Sequence, residues 1–336
     1  MPRMRIATAG LVAAAGLAAL ATPARAELPD AAALLSDLRF TPEQIDAANR
    51  GEIVRREDQP ASPRELTAAM LFLVEVPPDA LVKDLQAGLG TRVQPDLLAA
   101  GTFQGGGSPA DLAKLTLDPD AAKQAKAYLG AEPGEGLNLS RDEIAAFERL
   151  GPNASAAQVL EQVRTALLTR LGAYQSGGLA AIAPYARSGG ERQPGEELRI
   201  ATEANAALAK YAPAARRALL EYPQAKPPGT QEAFQWARFL AHGEPTITLT
   251  HALFVPDGDA WVVAQRQFYV STGYNCEQAV AGFIPVEAGT AVLYVNRTST
   301  DQVAGWGGSA KRSLGSKVLA SQLESTFEKL RRAAGN

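Results

Sequence analysis

The chain has 336 residues, 46% of them apolar, and a formal net charge of −3. That length and apolar content suit a globular protein with a sizeable core, in one large or two small domains. The mild acidity and the lack of a basic block argue against a nucleic-acid binder.

The chain opens with the three-part pattern of a secretory leader. Arg3 and Arg5 come first, Ile6 to Ala21 is apolar and uncharged, and Pro23-Ala24-Arg25-Ala26 sets small residues before a cut at Glu27. The apolar run, about 16 residues, falls short of the roughly 20 needed to span a bilayer. Residues 1–26 therefore read as a cleaved signal peptide, and the protein as periplasmic or secreted with no membrane span. Cleavage removes three Arg and no acid, so the formal charge becomes −6. One cysteine, Cys276, leaves no internal disulfide and reads as a small buried residue in a turn. With only His242 and His251 as imidazoles, no protein-built metal site is expected, and no motif calls for a cofactor.

Residues 27–60 read as a helical N-terminal segment, started at Thr41-Pro42-Glu43-Gln44 by a capping pattern. Residues 66–76 (LTAAMLFLVEV) are apolar in both alternating sets, as in a strand covered on both faces. Pro77-Pro78 ends it, and 79–86 continues as a short helix. Residues 96–104, 112–117 and 137–139 are weaker strand candidates. Ser140-Arg141-Asp142-Glu143 starts a helix through Leu150. A helical region follows to about 240, with an amphipathic stripe of Val159, Leu160, Val163, Leu167, Leu171 and Tyr174. Further helices are expected at 196–221 and 230–241. From Thr246 the pattern becomes strand-like. Turn signals at Pro256–Asp259, Asn275–Glu277 and Pro285–Gly289 divide 246–297 into a four-strand antiparallel meander. A helix over 307–333 closes the chain. Leu319, Leu323, Phe327 and Leu330 share one face, and Ala310, Leu314 and Val318 lie nearly opposite. The change of side near Gly315 predicts a bend or contact from two directions.

The expected fold is α+β, with residues 61–335 forming one domain. An antiparallel sheet (the meander 246–297 plus strand 66–76) packs on the long C-terminal helix and carries a large helical insertion at about 120–240. Three features carry a family resemblance: Val74-Glu75-Val76-Pro77-Pro78-Asp79-Ala80-Leu81-Val82, the meander, and Gly305-Trp306-Gly307-Gly308-Ser309-Ala310-Lys311-Arg312. In this order the elements resemble the helix-grip fold of the START and polyketide-cyclase-like superfamily (SRPBCC). The resemblance covers roughly 66–104 and 245–333 and has no diagnostic motif. It implies a sheet curled around the last helix, with an apolar cavity between them. The insertion departs from the family's usual length.

His251 alternates with Ile247, Leu249, Leu253 and Val255, so it is either a satisfied core residue or a polar contact on a cavity wall. Arg266 alternates with Val262, Ala264, Phe268 and Val270. A charge there needs an acid from the helical region or an anionic head group. If the other face is inward, Gln265, Gln267 and Tyr269 become the polar contacts. The candidate ligand contacts are therefore His251, Arg266, Phe268, Tyr269, Tyr294, Leu319 and Leu323. Lys311 and Arg312 are anion contacts at the glycine-rich helix start. The expected partner is an apolar or amphipathic, lipid-like small molecule; no protein partner is legible. A cofactor-free cyclase or isomerase in the same cavity is the second reading. An envelope interaction module using the 154–240 helices is the third.

Overall fold

The computed structural model describes residues 31–335 apart from Glu57, Glu135, His242 and Trp306. The leader, residues 27–30, His242 and Trp306 therefore lie outside the described residues. After α1 (Ala31–Asp37), α2 (Pro42–Asn49) begins where expected. Thr41 Oγ1 accepts from Gln44 N at 3.3 Å, and Gln44 Oε1 accepts from Thr41 N at 3.0 Å. The N-terminal segment then turns extended. β1 (Val54–Arg56) pairs with β2 (Glu65–Val74) and forms one edge of the sheet.

Pro77-Pro78 ends β2 and opens α3 (Pro78–Gln86), because proline suits a helix's first turn and cannot continue a ladder. Next come α4 (Leu89–Val93) and β3 (Leu97–Phe103). The insertion holds α5 (Ala121–Leu129), α6 (Arg141–Glu148) and α7 (Ala156–Gly177). A small hairpin of β4 (Tyr185–Arg187) and β5 (Gly190–Arg192) follows. Then come α8 (Pro194–Glu203), α9 (Ala206–Tyr211) and α10 (Pro213–Leu220). The single helix expected over 196–221 is thus three. Asn205 caps α9, accepting from Leu208 N at 3.1 Å, and Pro213 starts α10.

Two other expectations are corrected. Residues 112–117 and 137–139 are not strands. Leu112, Leu115 and Leu117 are buried in a turn region, and Asn138 spends its side chain on the Val270 and Tyr274 carbonyls. Residues 231–241 are not a helix but β6 (Gln231–Ala241). Glu, Gln, Ala, Arg and Leu there are good helix formers, and tertiary pairing with two neighbours overrides them. The insertion therefore ends before 231.

The meander follows as β7 (Glu244–Asp257), β8 (Ala260–Val270), β9 (Cys276–Val286) and β10 (Gly289–Ser299). Cys276 is the first residue of β9 rather than part of a turn, and Pro285 lies within that strand. α11 (Gly308–Ala333) ends the chain. The main sheet has eight antiparallel strands in the order β1-β2-β10-β9-β8-β7-β6-β3. Together with its helices it makes a mixed α+β fold.

Both faces of the sheet are covered. On one, Met70, Phe72 and Val74 of β2 pack with α3, α4 and α11, and Phe72 stacks on Phe327 at 4.7 Å. On the other, α5–α7 cover β6–β8 and α9–α10 cover β7–β9, while α2 packs on Leu71. Gly315 lets α11 close on β2; a Cβ there would lie 2.8 Å from Leu66 Cδ2. The second contact expected for α11 does not occur, because Leu314 and Val318 are exposed.

Gly178 closes the end of α7 onto the chain beyond α10. Its φ is +60°, and a Cβ would fall 1.9 Å from the Tyr222 carbonyl oxygen. Gly178→Ala should cost about 2–4 kcal/mol, from strain plus overpacking. Urea unfolding measures it, and an unchanged midpoint would refute this account of the insertion's closure.

Candidate functional site

A cavity of about 220 Å³ lies between the sheet and α11. Its apolar part is built from Phe72, Val263, Phe283 and Val292 on strands, with Leu81, Leu323, Phe327 and Leu330 from α3 and α11. Its polar part follows from strand register. Gln235 pairs with Thr250, Thr250 with Gln267, Gln267 with Glu277, and Glu277 with Thr298. Paired residues share a face, so one polar row crosses five strands. All but Thr298 line the cavity, as does Gln265.

Among the described residues, the Gln235, Thr250 and Gln265 side chains have no hydrogen-bond partner, although all three face the cavity. Gln267 accepts from the Tyr274 hydroxyl. Thr298 Oγ1 lies 3.1 Å from Glu277 Oε2 and 2.8 Å from Asn296 Oδ1, and Asn296 Nδ2 donates to the Tyr294 hydroxyl at 3.2 Å. Burial raises the Glu277 carboxyl above the ordinary range, opposed by hydrogen bonds with Asn296 and Thr298.

The sequence candidates divide between the faces. Tyr294 and Leu323 line the cavity; Leu319 does not. His251, Arg266, Phe268 and Tyr269 do not line it and pack under the insertion. A bulge explains Tyr269. Leu249 pairs with Tyr269 but Thr250 with Gln267, so Phe268 is the extra residue and Tyr269 joins it on the insertion face. There Phe268 stacks on Tyr174 at 4.2 Å, and the Arg170 guanidinium sits 4.4 Å from the Tyr269 ring centre. Lys311 and Arg312 do not line the cavity, and Arg312 Nη1 donates to the Pro63 carbonyl at 3.0 Å. Cys276 is buried 3.7 Å from Glu197 Oε2, and burial raises its thiol well above the ordinary range. Gln265 and Gln267 were legible as the alternative face. Gln235 and Glu277 were missed: one sat in a presumed helix, the other in a presumed turn.

Under the insertion, His251 and Arg266 form a directional chain. Arg266 Nη1 donates to the Tyr174 oxygen at 3.2 Å. The Tyr174 hydroxyl and His251 Nδ1 are 3.0 Å apart, and His251 Nε2 and Glu232 Oε2 are also 3.0 Å apart. A guanidinium can only donate, so Tyr174 donates onward to Nδ1 and His251 carries its proton on Nε2. Arg266 spends its other donors on Gln278 Oε1, Thr202 Oγ1 and the Leu219 carbonyl. Burial lowers His251 to about 4, against the hydrogen bond to Glu232; that same hydrogen bond lowers Glu232 to about 2. An acid–base site in this cavity would need two of His251, Arg266 and a Tyr to line it; Tyr294 does, whereas His251 and Arg266 share the other face with Tyr174. The exposed large apolar residues among those described are Leu98, Leu314 and Val318, none of them on the 154–240 helices. Among the described residues no helix is long and apolar enough to cross a membrane, and no group of acids, His and Cys could hold a metal ion. Comparison of the chain with protein-family models, curated proteins and solved structures finds no match.

Tyr174→Phe removes the link between Arg266 and His251 and should cost about 1–3 kcal/mol in urea unfolding. The pH dependence follows from the two shifts. Above about 6.5 His251 is neutral folded and unfolded. Between about 6.5 and 4 the unfolded chain binds the proton and the fold does not, so stability falls with acid. Glu232 adds a further loss below about 4.5. The drop in urea midpoint from neutral pH to pH near 5 should shrink in His251→Gln, which cannot titrate; an equal drop in both proteins would disprove the assignment.

Proposed function

We propose that this is an exported protein, cleaved after Ala26, that holds an amphipathic small molecule between its sheet and C-terminal helix. The observation carrying this reading is the division of the cavity. One part is aliphatic and aromatic; the other presents amides and hydroxyls, and three of those side chains have no partner among the described residues. Gln235 and Thr250 are half-buried and Gln265 is exposed, so their polar atoms are open to water or to a ligand's polar end. The apolar part suits a hydrocarbon body.

The helix-grip reading fits the same geometry. Seven strands and α11 touch one cavity. Laid flat, seven strands would spread over about 29 Å, so touching a single small cavity favours a sheet curled around it.

Native mass spectrometry of the protein purified from the periplasm, followed by solvent extraction, tests the proposal. A bound amphipathic molecule should appear in the wild type and disappear in Ala281→Trp, whose indole would fill the space between Val263 and Tyr294. Circular dichroism checks that the variant folds. No bound molecule in either protein, and no uptake of long-chain alcohols by the wild type, would sink it.

A further inference from the structure

Within that reading, on which this inference rests, we propose that the ligand carries a cationic, amine-type head group seated against Glu277, and that the cavity disfavours carboxylates and phosphates. Among the described residues, Glu277 is the one ionisable carboxyl lining the cavity, and no Lys, Arg or His lines it. Among the described residues it makes no ion pair; its contacts are the hydroxyl of Thr298 and the amide of Asn296.

The nearby cations are already used and face the other way. Arg266 and Arg297 alternate with the cavity-facing residues of β8 and β10. Arg266 is bonded by Gln278, Thr202, Tyr174 and Leu219. Arg297 is paired with Asp58 and Glu65. A carboxyl withdrawn from bulk water is stabilised in its charged form by a neighbouring cation. A ligand ammonium supplies the missing partner with donors only, which suits Glu277 and the acceptor oxygens of Gln235 and Thr250. A ligand carboxylate would set a second like charge beside Glu277, with no donor cation to offset it.

Strand geometry also bounds the ligand's length. Glu277 and Phe283 mark the polar and apolar ends of β9 on the cavity face, six residues or roughly 20 Å apart along the strand. A linear chain of about ten carbons fits within that span.

The test compares three probes with the same chain, decylamine, decanol and decanoate, by isothermal titration calorimetry on the protein lacking residues 1–26 at neutral pH. Decylamine should bind at least about tenfold tighter than decanol, with decanoate weakest. Glu277→Gln should bring decylamine to the affinity of decanol while leaving decanol unchanged, and retained decanol binding shows that the variant is folded. Should the variant not fold, the ranking in the wild type still decides. Decanoate binding as tightly as decylamine, or decylamine no tighter than decanol, overturns the head-group inference alone. Failure of all three to bind overturns the cavity as a ligand site.

Discussion

A guanidinium with no access to water governs how this protein is assembled. Arg266 is fully buried, and its donors are met by neutral groups from four places: Gln278 on β9, Tyr174 on α7, Thr202 on α8 and the Leu219 carbonyl on α10. Its nearest acid along the bonded chain is Glu232, reached through Tyr174 and His251. Losing one neutral partner of such a buried charge costs about 1–3 kcal/mol, and four elements share them, so the insertion is held in one position relative to the sheet. The aromatic packing around His251 follows from that placement: Tyr174, Tyr222 and Phe234 enclose the imidazole, with Phe234 stacked on it at 4.4 Å.

The cavity beside the last helix lies on the opposite face. With α5–α10 and α2 packed on one side, the 220 Å³ cavity lies beside α3, α4 and α11. There the side chains are small or polar where the strands meet the cavity's far part: Ala237, Ala279, Ala281, Thr248 and Thr250. On the insertion face, large rings and a buried ion chain fill the same strands. One strand, β8, serves both roles. Val262, Ala264, Arg266 and Phe268 pack inward against the insertion, and Val263, Gln265 and Gln267 line the cavity.

Some of this was readable in the chain and some was not. The caps at Thr41 and Ser140 are local, so their helices begin where the residues say. The Pro77-Pro78 corner and the hairpin turn before Ala260 are local too. β6 was hidden because Gln231–Ala241 has helix-favouring composition and apolar residues on both alternating sides: Phe234 and Trp236 under the insertion, Ala237 and Phe239 on the cavity. A sheet buried on both faces erases the one-sided alternation that marks a strand. Glu277 was hidden by misplacing the start of β9 by two residues.

The sequence by itself determined the element types of the meander, the capped helix starts at Thr41 and Ser140, the long last helix and the fact that Arg266 needed partners. Those follow from short-range periodicity, capping and the cost of burying charge. Which face of the sheet meets the last helix was decided only by tertiary structure. Alternation assigns residues to two faces without saying what covers either, and the bulge at Phe268 moves Tyr269 across after alternation has assigned it. The polar row of Gln235, Thr250, Gln267, Glu277 and Thr298 draws on five strands and spans 64 positions of chain. Only register brings those residues side by side.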